Sequence, residues 1–228
     1  MELEAIISEA LDVLKRGGLI LYPTDTIWGI GCDATNEEAV KKVFALKRRS
    51  GAKSLVLLAS DLDMVARYVK KIPPMAVSLV EVNDAPMTLV YPGAVVAGAG
   101  RAGSGLAPSA VAEDGSVGIR IPRVTVEYEG DDAPSAGAVF CNKLVYKLRR
   151  PIVSTSANIS GEPAPAGRKD VAKEILDGVD YAVPAWYYAG GAGAAGKAGK
   201  VWFDDTATGR SSQIIALGEN GEVEIIRP

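Results

Sequence analysis

The chain is predicted to fold as a soluble α/β protein, and three observations carry that expectation. Short apolar runs that stop at turn residues alternate with longer segments whose apolar residues fall at helical spacing. Hydrophobic residues make up 48% of the 228 positions and charged ones 23%, enough for a sizeable core and a solvated surface. Residues 18–58 run strand, polar loop, helix, basic turn, strand, the order of a βαβ-like unit with its charges gathered at a turn.

Residues 4–16 place Ile6, Ile7, Ala10, Leu11, Val13 and Leu14 on one helical face, with Gly17-Gly18 as the C-cap. Leu19-Ile20-Leu21-Tyr22 reads as a buried strand ended by Pro23. Thr24-Asp25-Thr26 follows as a polar triplet, and Gly29 and Gly31 mark places where the backbone approaches something closely. Thr35 is the expected N-cap of the next helix, with Glu38 closing a capping box over Ala39, Val40, Val43, Phe44 and Leu46. That helix runs into Lys47, Arg48, Arg49 and Lys53, and Leu55-Val56-Leu57-Leu58 is a second buried strand.

Further on, 61–71 and 75–82 read as helices and 87–91 as a strand. Residues 93–110 are a Gly/Ala/Pro/Ser-rich loop, and 115–122 an alternating strand stopped by Pro122. Residues 129–137 are loop-like, 140–149 and 168–177 helical, 151–153 and 181–183 short strands. The Gly/Ala/Lys-rich stretch 189–200 is expected to be poorly ordered. Trp202-Phe203, 212–217 and 223–226 are expected to complete the sheet of a single domain, 1–228.

The composition excludes several chemistries. There is no histidine, so no Ser-His-Asp or Cys-His hydrolysis and no imidazole metal site. Cys32 and Cys141 are too few for a disulfide scaffold, and two thiols alone make no structural zinc site. A net charge of −3 argues against a general nucleic-acid coat. The acidic start has no basic n-region before a long apolar run, and no stretch approaches a membrane span, so a cytoplasmic location is expected.

Two stretches carry the chemistry. The basic turn Lys47-x-Arg49-x-x-x-Lys53 has a plain reading, cations meeting the negative end of a helix dipole. The other reading is a holder for several oxygens of one polyanion, such as a triphosphate. No GxxxxGK[ST] and no GxGxxG is present, so it is neither a P-loop nor a dinucleotide fingerprint. In Ser154-Thr155-Ser156-Ala157-Asn158-Ile159-Ser160-Gly161, hydroxyls and an amide serve either as turn formers or as ligand donors at the carboxyl end of a parallel strand. Loops 24–31 and 154–161 and turn 47–53 would then line one cleft, with Arg120 as a carboxylate clamp.

Taken together and in order, YPTDTIWGIGCDAT, KRRSGAKSL, SVGIRIP, STSANISGEPAP, SSQII and EIIRP resemble the YrdC-type L-threonylcarbamoyl-AMP synthases over residues 6–227. The resemblance implies a twisted open mixed sheet with helices packed on it and a concave basic cleft, in the short form without an extra C-terminal domain. It implies formation of threonylcarbamoyl-AMP and pyrophosphate from L-threonine, bicarbonate and ATP. Carried onto this chain, Lys47, Arg49, Ser156 and Asn158 are the catalytic set, and Thr24, Arg120 and Ser212 hold L-threonine. ATP is expected at Lys47, Arg49, Lys53, Ser116, Ser156, Asn158 and Arg227, with Mg²⁺ on its phosphates and no side chain assigned as a metal ligand.

The product is expected to pass to an enzyme complex that transfers the group to tRNA, with tRNA or double-stranded RNA as a candidate contact and no membrane. The sequence departs from the family pattern at Gln213, at Asp84-Ala85-Pro86-Met87-Thr88, where Trp-Pro-Gly-Pro-Leu-Thr is usual, and at Trp28. The rival reading is a double-stranded RNA-binding or ribosome-maturation factor using the same cleft. Shape recognition of such RNA spreads basic contacts over ~16 base pairs, whereas the visible cluster is compact.

Overall fold

In the computed structural model, which describes residues 1–49, 55–98, 105–124, 134–190, 199–218 and 221–228, the elements follow one another as a mixed α/β order. They are α1 (Leu3–Lys15), β1 (Ile20–Tyr22), β2 (Gly29–Gly31), α2 (Glu37–Leu46), β3 (Val56–Leu58), α3 (Leu62–Ala66), α4 (Pro74–Val82), β4 (Met87–Tyr91), β5 (Val117–Arg120) and α5 (Ala136–Leu148). Then come β6 (Ile152–Ser156), α6 (Lys173–Gly178), β7 (Tyr181–Ala182), β8 (Trp186–Ala189), β9 (Gly199–Trp202), β10 (Gln213–Leu217) and β11 (Val223–Arg227).

Nine strands form one sheet in the order β11-β10-β4-β5-β3-β6-β2-β1-β7, and β8 and β9 pair as a separate ribbon. Only β10/β4, β3/β5 and β1/β7 are parallel among the neighbours; the rest are antiparallel. The expected mixed sheet is therefore present, but its wiring differs from the βαβ reading. Residues 29–31 are themselves a strand, pairing antiparallel with β1 through Tyr22↔Gly29 and Ile20↔Gly31. Pro23 and the polar triplet turn the chain back, so β1 and β3 are not the two strands of one crossover unit. Gly31 is small because β1 and β6 crowd it: a Cβ there would lie 2.6 Å from both the Tyr22 ring and the Val153 carbonyl oxygen.

Helix α1 buries Ile6, Ile7, Ala10, Val13 and Leu14. It closes with Gly17 N–H to the Leu14 carbonyl and Gly18 N–H to that of Val13, both 3.0 Å, the paired bonds of a Schellman end. Helix α2 is capped one residue later than expected. Asn36 Oδ1 accepts the Ala39 N–H at 3.1 Å, while Thr35 bonds Asp33 through its N–H and hydroxyl. Asn is as good a cap as Thr, and the nearby Asp33 claims the Thr35 hydroxyl.

Helix α5 starts four residues earlier than the sequence reading placed it, because Ser135 Oγ accepts the Ala138 N–H at 3.0 Å. Helices 61–71 and 168–177 are shorter than expected, reduced to α3 and α6, the latter after a 3₁₀ turn at Arg168–Asp170. Trp202 belongs to the ribbon, not the main sheet. Of the stretch 189–200 expected to be poorly ordered, Ala189 ends β8 and Gly199 and Lys200 begin β9, and 191–198 lie outside the described residues. The chain segment around Arg101 lies outside them too.

The core joins α1 and α5 to one face of the sheet through Tyr22, Phe140, Phe203 and Trp28. Phe203 stacks edge-on against Phe140 at 5.9 Å and against Trp28 at 6.4 Å. Period-2 alternation decides what reaches the other face. Thr88 and Val90 of β4 and Gly118 and Arg120 of β5 point into a cleft. Met87, Leu89 and Ile119 line a smaller cavity of about 360 Å³ behind the sheet.

Candidate active site

The cleft encloses about 630 Å³ and is lined by loop 24–29, Arg49, the cleft-facing residues of β4 and β5, residues 154–156, and the β10–β11 end of the sheet. Its first wall is the loop after β1, which is built from its own side chains. Thr24 Oγ1 accepts the N–H groups of Thr26 and Ile27 at 3.0 and 3.2 Å, donates to the Ile27 carbonyl at 2.7 Å, and lies 2.7 Å from Thr26 Oγ1. One hydroxyl thus fixes the two successive residues Thr26 and Ile27, an ST-turn that a threonine at the end of a strand supplies.

Two further elements hold this loop in place. Helix α5 presses on it so closely that a Cβ at Gly137 would fall 2.2 Å from the Thr24 carbonyl oxygen. Segment 204–209 straps it from outside. Thr208 N–H and Gly209 N–H donate to the carbonyls of Asp25 and Thr26, both 2.9 Å, and Trp28 Nε1–H donates to Asp204. The Arg168 guanidinium lies 5.5 Å from the Trp28 ring centroid, a cation–π contact on the same indole.

Arg120, at the end of β5, is buried and donates from Nη1 to Asp25, a buried ion pair. Burial opposes the guanidinium's charge and Asp25 more than offsets it, so Arg120 is held above its ordinary pKa. On the neighbouring strands, Arg227 donates from Nε and Nη2 to the Ser212 carbonyl at 2.9 and 2.6 Å, and Ser212 Oγ lies 2.8 Å from Thr88 Oγ1. A bulge in β11 between the partners of Ile214 and Ile215 turns both Ile226 and Arg227 toward the cleft. Ser116 N–H donates to Asp114 at 2.8 Å, and Ser116's backbone and side chain hold that carboxylate below its usual range.

The predicted residues divide into three groups. Thr24, Arg49, Ser116, Arg120, Ser156, Ser212 and Arg227 all line the cleft. Lys47 and Asn158 are not among its lining residues. The Lys47 ammonium is buried and grips the main chain behind the turn, donating to the carbonyls of Ser156 and, at 2.6 Å, of Asn158. Burial, with Arg49 beside it, lowers its pKa to about 8. Asn158 donates from Nδ2 to the carbonyls of Ile159 and Glu162 at 2.9 and 2.7 Å, which makes it a turn-holder here, while its Oδ1 is buried without a partner among the described residues. Lys53 lies outside the described residues.

Residues 154–156 are strand, and β6 is antiparallel to both neighbours, so the donors do not sit at the end of a parallel strand as expected. Sequence reasoning missed Thr88 and Asp114 as wall residues and Asp25 as the partner of Arg120. A fully buried threonine inside an apolar strand, as at Thr88, was the available signal.

The Sua5/YciO/YrdC family model, described as "Telomere recombination", matches residues 12–193. The chain belongs to this family. Sua5/YciO/YrdC relatives include a Chromohalobacter salexigens protein named threonylcarbamoyl-AMP synthase, 32% identical over 188 residues, covering 78% of this chain and 89% of that one. A protein of the same name from Stenotrophomonas maltophilia is 31% identical over 177 residues, covering 76% and 82%.

Among solved structures of the family, a doubly substituted P. abyssi Sua5 matches with TM-score 0.71 and 25% identity over 100% of this chain. P. abyssi Sua5 complexed with L-threonine matches with TM-score 0.67 and 23% identity over 95% of it. The chain spans 57% and 52% of those two Sua5 chains, somewhat over half their length. E. coli YciO, at TM-score 0.66 and 16% identity, shares the fold over 99% of this chain and 89% of its own.

Proposed function

We propose that this chain is a threonylcarbamoyl-AMP synthase, joining L-threonine, bicarbonate and ATP into threonylcarbamoyl-AMP with release of pyrophosphate. What carries the reading is the convergence of Arg49, Ser116, Arg120, Ser156, Ser212 and Arg227 on one cleft beside the Thr24 loop, in a family whose curated relatives bear that name. Threonine's amine attacks the bicarbonate carbon, a C–O bond breaks and water leaves with an amine proton, giving an N-carboxylated amino acid. That carboxylate attacks the α-phosphorus, and pyrophosphate leaves. No covalent nucleophile is needed, so the absence of histidine is no obstacle. The chain's work is positioning and charge stabilisation, of which positioning alone supplies on the order of 7–11 kcal/mol at best.

In this reading Arg120 clamps the threonine carboxylate, the Thr24 turn and Ser212 border the amino acid, and Arg49, Ser116, Ser156 and Arg227 face the nucleotide. Lys53 joins the phosphate contacts. Lys47 and Asn158 shape the Ser156 turn from behind. Mg²⁺ would ride on the phosphates and share their charge. Among the described residues no group of three or more acidic or sulfur side chains is gathered for an ion, and Asp114 is the one carboxylate among the described lining residues. That suits a cation ligated mostly by substrate oxygens and water.

The product would feed an enzyme complex that transfers the threonylcarbamoyl group to tRNA. The cleft's cations are compact, which favours a small polyanion over an RNA duplex. Among the described residues no helix is long and apolar enough to cross a membrane, in keeping with the proposed cytoplasmic location. The deciding experiment is mass spectrometry of products from purified protein given ATP, L-threonine and labelled bicarbonate. Threonine-independent pyrophosphate release, or no labelled adenylate, would end this reading.

The Lys47 clasp gives a pH prediction. The folded chain releases this proton near pH 8 and the unfolded chain holds it to about 10.4. The unfolded state therefore binds more protons in that window, and this group's contribution to stability rises with pH there. The charge-assisted bonds to the 156 and 158 carbonyls weaken at the same time. The rate per folded molecule should therefore drop above pH 8 while urea midpoints do not, and Lys47→Met should remove that limb. A parallel loss of rate and stability in the parent would contradict it.

A further inference from the structure

Two arginines that line the cleft do not present the same charge. Arg227 bonds a neutral carbonyl, that of Ser212, and keeps its full positive field. Arg120 bonds a carboxylate. The Asp25–Arg120 pair is buried and held from both sides: β5 fixes Arg120, and the carbonyl of Asp25 accepts the strap's Thr208 N–H at 2.9 Å. Helix α5 leaves this part of the loop no room to shift, since a Cβ at Gly137 would also lie 2.9 Å from the Asp25 nitrogen. Asp25 itself is not among the cleft's lining residues, so it acts through Arg120.

A pre-paired guanidinium is a different receptor from a bare one. A phosphate dianion approaching Arg120 also meets the Asp25 charge within a few ångströms, in surroundings where charges are weakly screened. An α-amino acid brings a carboxylate with an ammonium beside it and no net charge, so the Asp25 charge behind Arg120 repels it far less than it repels a dianion. We infer that Asp25 is a specificity-determining positioning residue: by pairing Arg120 it reserves that part of the cleft for a zwitterionic amino acid and turns phosphate groups toward Arg49 and Arg227. This rests on the synthase reading for the identity of the amino acid, but the charge argument concerns any zwitterion against any phosphate.

The test is calorimetric titration of L-threonine into the intact chain with and without inorganic phosphate, for the parent, Asp25→Asn and Asp25→Glu. In the parent, phosphate should not compete with L-threonine. In Asp25→Asn phosphate should become competitive, its apparent affinity against threonine rising on the order of tenfold, while Asp25→Glu, which keeps the charge, should resemble the parent. A merely structural role would weaken threonine binding without creating phosphate competition, and that outcome overturns the inference.

Should Asp25→Asn fail to fold, the parent still decides: phosphate competing with L-threonine in the unsubstituted protein overturns it too. Absence of any L-threonine binding by the parent would instead count against the synthase reading, which keeps the two failures apart.

Discussion

Arg120→Ala is expected to lower threonine-dependent adenylate formation by a hundredfold or more and to destabilise the fold by about 3–5 kcal/mol. Under the proposed function, the first effect follows from losing charge-assisted bonds to the threonine carboxylate, each worth roughly 1.5–3 kcal/mol. The second follows because Asp25 is left buried without its partner, and breaking a buried pair costs about that much. The two losses are separable. Arg120→Met combined with Asp25→Asn removes both charges and should recover most of the stability and none of the activity. Urea melts beside rates normalised to folded protein check both. Recovery of activity in the double variant would show that Arg120 never touched substrate.

Gly137→Ala is expected to destabilise, against the ordinary preference of helices. In an exposed helix this change stabilises by about 1 kcal/mol. Here the new methyl would meet the main chain of Thr24 and Asp25, with contacts of 2.2, 2.3 and 2.9 Å, and backbone cannot rotate away as a side chain can. Overpacking of this kind costs roughly 1–3 kcal/mol, and with the loop strapped on its other side by residues 208–209 the upper end is expected. The melting temperature should drop by roughly 5–10 °C, and the rate per folded molecule should fall as well, because α5 and the Thr24 turn are forced apart. A stable, fully active Gly137→Ala protein would mean that the helix slides without disturbing the cleft.

Much of this was legible in the sequence. Strand 117–120 was readable from its alternation, which presents one residue set to the cleft and the other to the interior, and 87–91 as a short, mostly apolar run. The amphipathic α1 was readable because its burial follows its period. Residues 29–31 were not, since Gly-Ile-Gly has neither β-branched density nor length, and it becomes a strand only because β1 and β6 offer edges on both sides. Lys47 shows the limit for the site. Its spacing to Arg49 suggested two side chains on one anion, but the helix ends at Lys47 and Arg48 takes a positive φ of 48°. That reversal sends the two side chains different ways, one behind the Ser156 turn and one to the cleft. The Asp25–Arg120 pair, made by side chains 95 positions apart, leaves no local trace.

The strap across the Thr24 loop also sets an order of events during synthesis. Trp28 waits for Asp204, 176 positions later, and the carbonyls of Asp25 and Thr26 wait for Thr208 and Gly209. Strands β1 to β6 emerge from the ribosome first and can zip together by themselves, but the mouth of the cleft lacks its fastening until nearly the whole chain is out. Contacts this distant in sequence are the slowest to close, so the Thr208 and Gly209 amides should be among the last to gain protection in pulsed hydrogen exchange. A nascent or truncated chain would thus carry strands β1 to β6 without a fastened cleft, and under the proposed reaction a partly made copy would neither consume ATP nor sequester threonine.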